Sequence, residues 1–453
     1  MTPNSELRTP NSPLDYLFQG GLILSLSPDF PETFYGSIGI QGDRIVFIQP
    51  EDSPNPLPPA ERIIDARGFL ILPGLVNTHT HGAMTLFRGL ADDLPLQTWW
   101  EQSIFPAESR FINPDSVYWG TLLACAEMIM SGTTTFADGY FHMDEAVKAA
   151  DQSGMRAIIC QGVLDFPIPG VPDPAQNSAV AARFVETWKG FSPRIRTGIF
   201  CHSPYTCSSE TLQSVKRLCR KEQVPFFIHA AETREEIALI QSRYGKTSIQ
   251  YLYDLDILDE QTIAVHAIHL DKGEISLLAQ TRTAVAHCPE SNMKLASGIA
   301  PVVEMLEKGV RVGLGTDGCA SNNDLDLFKE MDTTAKLEKV HYLDPTVMND
   351  RTVFRMATLE GAGVLGLGSQ TGSLEIGKQA DLVLLDLSKP HLVPCYDPFS
   401  IIVYSAQGSD VHSVMIAGRM VMEDRKILTF DLDEVLDQVN RISQRIIAGG
   451  YAK

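Results

Sequence analysis

From Leu72 to about Gly366 short β-branched or apolar runs recur, most of them followed by a segment of helical period or helix-forming composition. This alternation constrains the chain more than any other feature. The runs are Gly74–Thr80, Thr133–Asp138, Arg156–Leu164, Ile195–His202, Pro225–Ala230, Ile263–Ile268, Thr283–His287 and Val310–Thr316. Between them lie amphipathic stretches such as Ile299–Lys308 and Ser208–Lys221, the latter opening on a Ser-Ser-Glu capping signal. Strands that alternate with helices pair in parallel through right-handed crossovers, and eight such units are what a (β/α)8 TIM barrel requires. The expected fold class is therefore α/β with a barrel at its centre.

The flanks read differently. Leu22–Leu26, Gly36–Ile40 and Arg44–Ile48 are short β-rich runs separated by turn signals such as Gly42-Asp43. A stretch with Pro54, Pro56, Pro58 and Pro59 then leads through Arg62–Asp65 into the barrel pattern. After the barrel, Gly372–Gly377 reads as a turn, Asp381–Asp386 as a strand, and Val411–Ile416 with Gly418–Val421 as a hairpin-like pair. Leu432–Ile447 reads as a closing helix. Barrel termini lie on the surface and approach each other. The two flanks are thus expected to form one small β-sandwich domain, which divides the chain into 1–71, 72–370 and 371–453.

A net charge of −19 and a pI near 5.0 set the average surface against nucleic acid or an anionic membrane. The eight cysteines are scattered, with no C-x-x-C pair, and read as buried free thiols in a reducing compartment. No apolar h-region follows the start MTPNSELRTPNSPLDY, and no later segment offers about 18 uninterrupted apolar residues. A cytoplasmic homo-oligomer acting on a small molecule is expected.

His79-Thr80-His81 ends the first barrel strand. Alternate side chains of a strand face one way, so both imidazoles can enter the barrel mouth and hold one ion. An H-x-H alone is weak evidence; its place at a C-terminal strand end, where barrel active sites sit, strengthens it. His229, His266 and Asp317 fall at the ends of the fifth, sixth and eighth strands. Three histidines (His79, His81, His229) plus the Asp317 carboxylate suit one divalent ion, Zn2+ first and Fe2+ as the alternative, with a position left for water. Asp317 can take the water proton, and Glu232, three residues past His229, can reach a substrate ring. The plainer reading of Glu232 is a charge at the start of the helix near Thr233. His269 suits a loop role and His287 a contact behind the site or to substrate.

Several runs agree in order and spacing with a known family: Pro73-Gly74-Leu75-Val76-Asn77-Thr78-His79-Thr80-His81, His202-Ser203-Pro204-Tyr205, His229-Ala230-Ala231-Glu232-Thr233, Val265-His266, Ser291-Asn292-Met293-Lys294-Leu295 and Gly315-Thr316-Asp317-Gly318. Together they resemble the amidohydrolase superfamily, in its triazine hydrolase and nucleoside deaminase branch, over nearly the whole chain. The resemblance implies hydrolytic deamination of an adenosine-type nucleoside such as 5-methylthioadenosine, adenosine or S-adenosylhomocysteine. It implies the metal set His79, His81, His229 and Asp317, with Glu232 on the purine ring and His266 on the attacking water. Glu108 and His202 would contact the ribose hydroxyls. Arginines expected near the end of the third strand for a carboxylate-bearing tail are missing: Gln161 stands there, and Arg183 comes only in the next helical run. S-adenosylhomocysteine is therefore expected to be the poorer substrate.

Other readings are weaker. Gly313-Leu314-Gly315-Thr316-Asp317-Gly318 matches G-x-G-x-x-G, but it closes an eight-unit array instead of opening a first βαβ unit. The H-x-E…P-C-x-x-C and H-E-x-x-H signatures are absent. Chloride or amine removal from an s-triazine, guanine deamination and a non-catalytic metal-stabilised scaffold stay as alternatives.

Overall fold

The structure, a computed structural model, describes residues 13–451; the opening segment 1–12, most of the stretch read above for a leader, lies outside the described residues. Eight strands form one parallel sheet in strict chain order. They are β1 (Leu75–Thr80), β2 (Thr133–Tyr140), β3 (Arg156–Val163), β4 (Ile195–Cys201), β5 (Phe226–Ala230), β6 (Thr262–His266), β7 (Ala284–His287) and β8 (Val312–Leu314). All eight expected strands are present, with ends displaced by at most two residues. Helices cover the outside. Ser208 caps the helix Ser209–Glu222 by accepting a hydrogen bond from the Thr211 amide, whereas the expected Ile299–Lys308 helix is confined to Val302–Glu307 because Pro301 occupies its N-cap.

The inside of the barrel is filled by side chains such as Val76, Ile158, Phe200, Phe227 and Val265. A second apolar layer lies between strands and helices. The filling is a packed core, so the only room for chemistry is at the strand ends.

The sheet closes between β8 and β1 mainly through side chains. Thr78 Oγ1 donates to the Leu314 carbonyl (2.8 Å) and Thr80 Oγ1 to the Asp317 carbonyl (3.0 Å). The Asn77 amide oxygen accepts from the Thr316 amide (3.1 Å), and the Asp317 amide donates to the His79 carbonyl (3.0 Å). The approach is close enough that a Cβ on Gly315 would lie 2.9–3.0 Å from His79 atoms, and one on Gly313 would lie 2.5 Å from Thr78. The glycines of the G-x-G-x-x-G match thus serve barrel closure.

Both flanks join a nine-stranded mixed sheet. Its middle strand, Phe69–Pro73, pairs parallel with Leu14–Leu24 and antiparallel with Leu382–Asp386. Three of its strands, Ala60–Asp65, Phe69–Pro73 and the two-residue Lys426–Ile427, were not anticipated. The first is a largely exposed strand carrying Glu61, Arg62 and Asp65, and it lacks an apolar alternation. The second runs directly into β1, so the two read as one apolar stretch. The closing helix spans Leu432–Ala448. All eight cysteines are free and seven are buried. No helix among the described residues is long and apolar enough to cross a membrane.

The two sheets are tied by a buried ion pair. Arg156, at the start of β3, donates from Nε to Asp381 Oδ2 (2.8 Å) and from a terminal nitrogen to Oδ1 (3.0 Å). The Ala417 amide (2.7 Å) and Thr371 hydroxyl (3.0 Å) complete the carboxylate's partners. Removing one member strands a buried charge, which costs about 3–5 kcal/mol. Arg156→Met is expected to lower stability to chemical denaturation by about that amount, and Arg156→Met with Asp381→Leu by clearly less. Equal losses in both variants would show that the charges do not act as a pair.

Candidate metal centre and substrate cavity

Strand geometry aims the donors. Val76 packs inside the barrel, and simple alternation from it would turn His79 outward. An irregularity in the β1–β2 register between Asn77 and Thr80 inserts one residue on β1, so Thr80 pairs with Asp138 and the two flanking histidines face inward. His229 follows Phe227 at an interior position of β5. His266 needs a further device. Its neighbour Val265 faces inward, and φ angles of 71° at His266 and 48° at Ala267 swing the His266 ring back to the mouth. Asp317 also has a left-handed φ, 61°. Such conformations cost roughly 1–3 kcal/mol each in non-glycine residues and concentrate at functional sites.

His79, His81, His229 and Asp317 each present a ligand atom, and these atoms all lie within 4.8 Å of one another. Asp317 Oδ1 is 3.4 Å from His79 Nε2 and 3.3 Å from His81 Nε2, and the Nε2 atoms of His229 and His79 are 3.4 Å apart. Four lone-pair donors facing one point this closely, with few protons to share, are what a divalent ion requires. His81 Nδ1 hydrogen-bonds the Gly139 carbonyl (2.5 Å), which fixes Nε2 as the free donor atom. Burial lowers His79 to about 4, despite its hydrogen bond to Asp317, and takes His229 well below its usual range. Burial would raise Asp317, but its hydrogen bond with His79 and the charges of neighbouring imidazoles hold it well below the usual carboxylate range. Neutral imidazoles and an ionised carboxylate are the forms that bind metal.

Around this group lies a cavity of about 1620 Å3. Glu232 and His266 face it together, Glu232 Oε1 standing 3.9 Å from His266 Nε2. Glu232 does not cap the next helix: Thr233 does so, and Glu236 accepts the Ala231 and Glu232 amides. Burial raises the Glu232 carboxyl above its ordinary range. Glu108, on the helix Phe105–Phe111, is only 4% exposed and accepts from the Tyr140 hydroxyl (2.5 Å). Burial raises it to about 7. His202, just past β4, has Nδ1 3.0 Å from Thr206 Oγ1 and also faces the cavity.

Four supports were not assigned from sequence. The Ser291 and Ser321 hydroxyls both donate to Asp317 Oδ2 (2.7 Å each), and the Gly318 amide donates to Oδ1 (2.8 Å). Asn292 Oδ1 lies 2.9 Å from His266 Nδ1. An amide oxygen only accepts, so it keeps the proton on Nδ1 and leaves the His266 Nε2 lone pair facing Glu232 and the cavity. Ser291 and Asn292 belong to a run that stood out in the sequence, but their targets lie on other strands. His269 serves its loop, with Nε2 2.8 Å from the Ser297 carbonyl. His287 is buried, does not line the cavity and has no hydrogen-bond partner among the described residues. Arg183 is exposed and off the cavity wall; Arg234 and Arg243 line it instead.

A parallel barrel with a histidine-rich donor group at the carboxyl ends of its strands and two carboxylic acids facing the same cavity defines a metal-dependent hydrolase. Comparison with known proteins narrows this. Residues 70–421 match the model of the amidohydrolase family, and the chain belongs to that family. It is 47% identical to 5-methylthioadenosine/S-adenosylhomocysteine deaminase 1 of Syntrophus aciditrophicus, over 96% of this chain and 98% of that one. It is 43% identical to 5'-deoxyadenosine deaminase of Methanosarcina acetivorans, over 97% and 100%. A zinc-bound adenosine deaminase from Xanthomonas campestris superposes with a TM-score of 0.93 at 36% identity, covering 97% of this chain and 100% of that one. The chain is thus a hydrolase acting on C–N bonds, with a His-His-His-Asp group for a metal ion.

The purified protein is expected to carry about one divalent ion per chain, and His229→Ala and Asp317→Asn to lose it together with activity. Elemental analysis checks this; full activity in a metal-free sample would refute it. Asn292→Leu should retain the ion yet lose roughly ten- to a hundredfold in turnover, the usual effect of removing an orienting partner.

Proposed function

We propose that the protein deaminates adenosine-type nucleosides by hydrolysis at C6 of the purine, with His79, His81, His229 and Asp317 holding one zinc ion. The observation that carries this reading is that Glu108, a buried carboxylic acid, faces the same cavity as Asp317, His266 and Glu232. Glu108 and His202 give one side of the cavity a hydroxyl acceptor and a dual-function imidazole, a pairing suited to a ribose. An s-triazine has no sugar for that pair. Its relatives, a 5-methylthioadenosine/S-adenosylhomocysteine deaminase, a 5'-deoxyadenosine deaminase and an adenosine deaminase, favour the same substrate class.

When bound, the ion supplies Lewis-acid activation of the attacking water. Asp317 takes the water proton at a carboxylate oxygen, and His266 Nε2 accepts from the same water and aims it at C6. Glu232, whose carboxyl burial raises above its ordinary range, gives a proton to the purine ring nitrogen beside C6. The proton held by Asp317 then passes to the exocyclic amine, which leaves as ammonia. As ammonia departs the C6 hydroxyl gives its proton to the Glu232 carboxylate, which restores Glu232 and leaves a 6-oxo purine with the ring nitrogen protonated.

The barrel, residues 72–370, is the chemical unit in this reading, with 1–71 and 371–453 as its support. Arg234 and Arg243 give a carboxylate-bearing tail the partners that the third strand lacks, so we include S-adenosylhomocysteine among the substrates. A cytoplasmic setting is supported by eight unpaired cysteines.

Ammonia release from adenosine, 5'-deoxyadenosine and 5-methylthioadenosine tests the activity. Glu232→Gln is expected to lower turnover by roughly a hundredfold or more, the scale of a lost proton-transfer group; near-normal turnover would reject its role. The ionised form of Glu108 is the stronger acceptor for two hydroxyls, and burial raises its pKa to about 7, so kcat/KM should rise with pH through about 7. In Glu108→Gln that step should vanish from the pH profile.

A further inference from the structure

The cavity wall next to His202 is aromatic. Trp100 stacks on the His202 ring, with centroids 5.7 Å apart and planes at 20°. Phe105 lies 5.4 Å from Trp100, Phe166 lies 6.0 Å from Trp100, and the two phenylalanines meet edge to face at 5.4 Å. The three rings thus form a closed triangle. All three line the cavity, and all three are only half-buried. A cluster that served only as core would be sealed from solvent on every side.

The cluster is assembled from separate parts of the chain. Trp100 opens a π-helical turn, Trp100–Ile104, that runs directly into the helix bearing Phe105 and Glu108. Such turns are rare and recur at functional sites. Phe105 sits one helical turn before Glu108, so the aromatic face and the buried carboxylic acid share one helix. Phe166 comes from the loop after β3. Of the apolar residues in that loop, Ile168 and Val171 turn into the core and bridge each other, leaving Phe166 to face the cavity.

We infer that Trp100, Phe105 and Phe166 form the subsite for the 5′ substituent of the nucleoside, and that they select an apolar or thioether group over a hydroxyl. The inference rests on the ribose reading of Glu108 and His202. For a ribose held by that pair, the ring stacked on His202 is the adjacent apolar surface. A thioether sulfur or a methyl group gains contact with three ring faces and edges there. A 5′ hydroxyl placed against the same rings gives up its hydrogen bonds to water and gains none. The shared feature of the accepted tails is then the apolar atom next to C5′, whatever lies farther out.

The test is kcat/KM of the metal-loaded enzyme for 5-methylthioadenosine, 5'-deoxyadenosine and adenosine, in wild type, Trp100→Ala, Phe166→Ser and Phe166→Leu. In wild type the first two substrates should exceed adenosine by roughly tenfold or more, the scale set by burying an apolar group against stranding a hydroxyl. In Trp100→Ala and in Phe166→Ser the ratio of 5-methylthioadenosine to adenosine should fall at least fivefold. Phe166→Leu, which keeps the subsite apolar, should keep most of the ratio. Phe166 sits on a half-exposed loop, so its variants decide the matter even if Trp100→Ala fails to fold. An unchanged ratio in Phe166→Ser would overturn the inference, as would equal losses on all three substrates, which would place the rings against the purine. Wild-type enzyme that releases ammonia from none of the three would overturn the nucleoside reading itself, and this subsite with it.

Discussion

The seam between β8 and β1 is the contact on which the site depends. Only there do the first and last barrel strands meet, and the contact is made by Asn77, Thr78, Thr80 and the backbone of His79 and Asp317. The same few residues therefore both close the barrel and bring Asp317, far along the chain, beside His79 and His81. Buried backbone groups at the seam would be orphaned without these partners, and each orphan costs the full desolvation of its group. Gly313 and Gly315 supply the other half of the constraint by admitting β1 where any side chain would collide. Closure and metal binding are one structural event in this chain.

The mouth of the barrel gathers features that do not favour stability. Three neutral histidines, a carboxylate held ionised, and two carboxylic acids raised by burial face one cavity, and two of the residues involved carry left-handed backbone. What keeps the arrangement in place is a ring of fixed donors and acceptors: Ser291, Ser321 and Gly318 on Asp317, Asn292 on His266, Gly139 on His81 and Tyr140 on Glu108. The opposite end of the barrel is built for cohesion, with Arg156 and Asp381 locking the terminal sheet to β3. Separating chemistry at the carboxyl ends of the strands from stability at the amino ends lets either change without unsettling the other.

How much of the site was legible depends on whether a residue acts where its own strand ends. His79, His81, His229, His266 and Asp317 do so, and residue type with strand position was enough to pick them. Ser291 and Asn292 act on residues at the ends of other strands, so nothing in their local spacing disclosed the partner. The arginines show the same limit: the loop after β3 has none, yet Arg234 and Arg243 reach the cavity wall from the helix after β5. Trp100 and Phe105 read as ordinary helix residues until the fold set them against Phe166 and His202.

Periodicity determined the eight parallel strands and most of their helices, because alternation of apolar residues is a local consequence of which face each strand or helix buries, but it missed Phe69–Pro73, the middle strand of the sheet that the two ends share. It also determined that imidazoles and a carboxylate would stand at strand ends. Tertiary structure decided the rest. The extra residue in β1 that turns His79 and His81 inward, the left-handed turn that returns His266 to the mouth, and the side-chain seam that delivers Asp317 are all set by contacts between distant segments. Such contacts exist only once the chain has closed on itself, so no window of sequence contains the physics that fixes them.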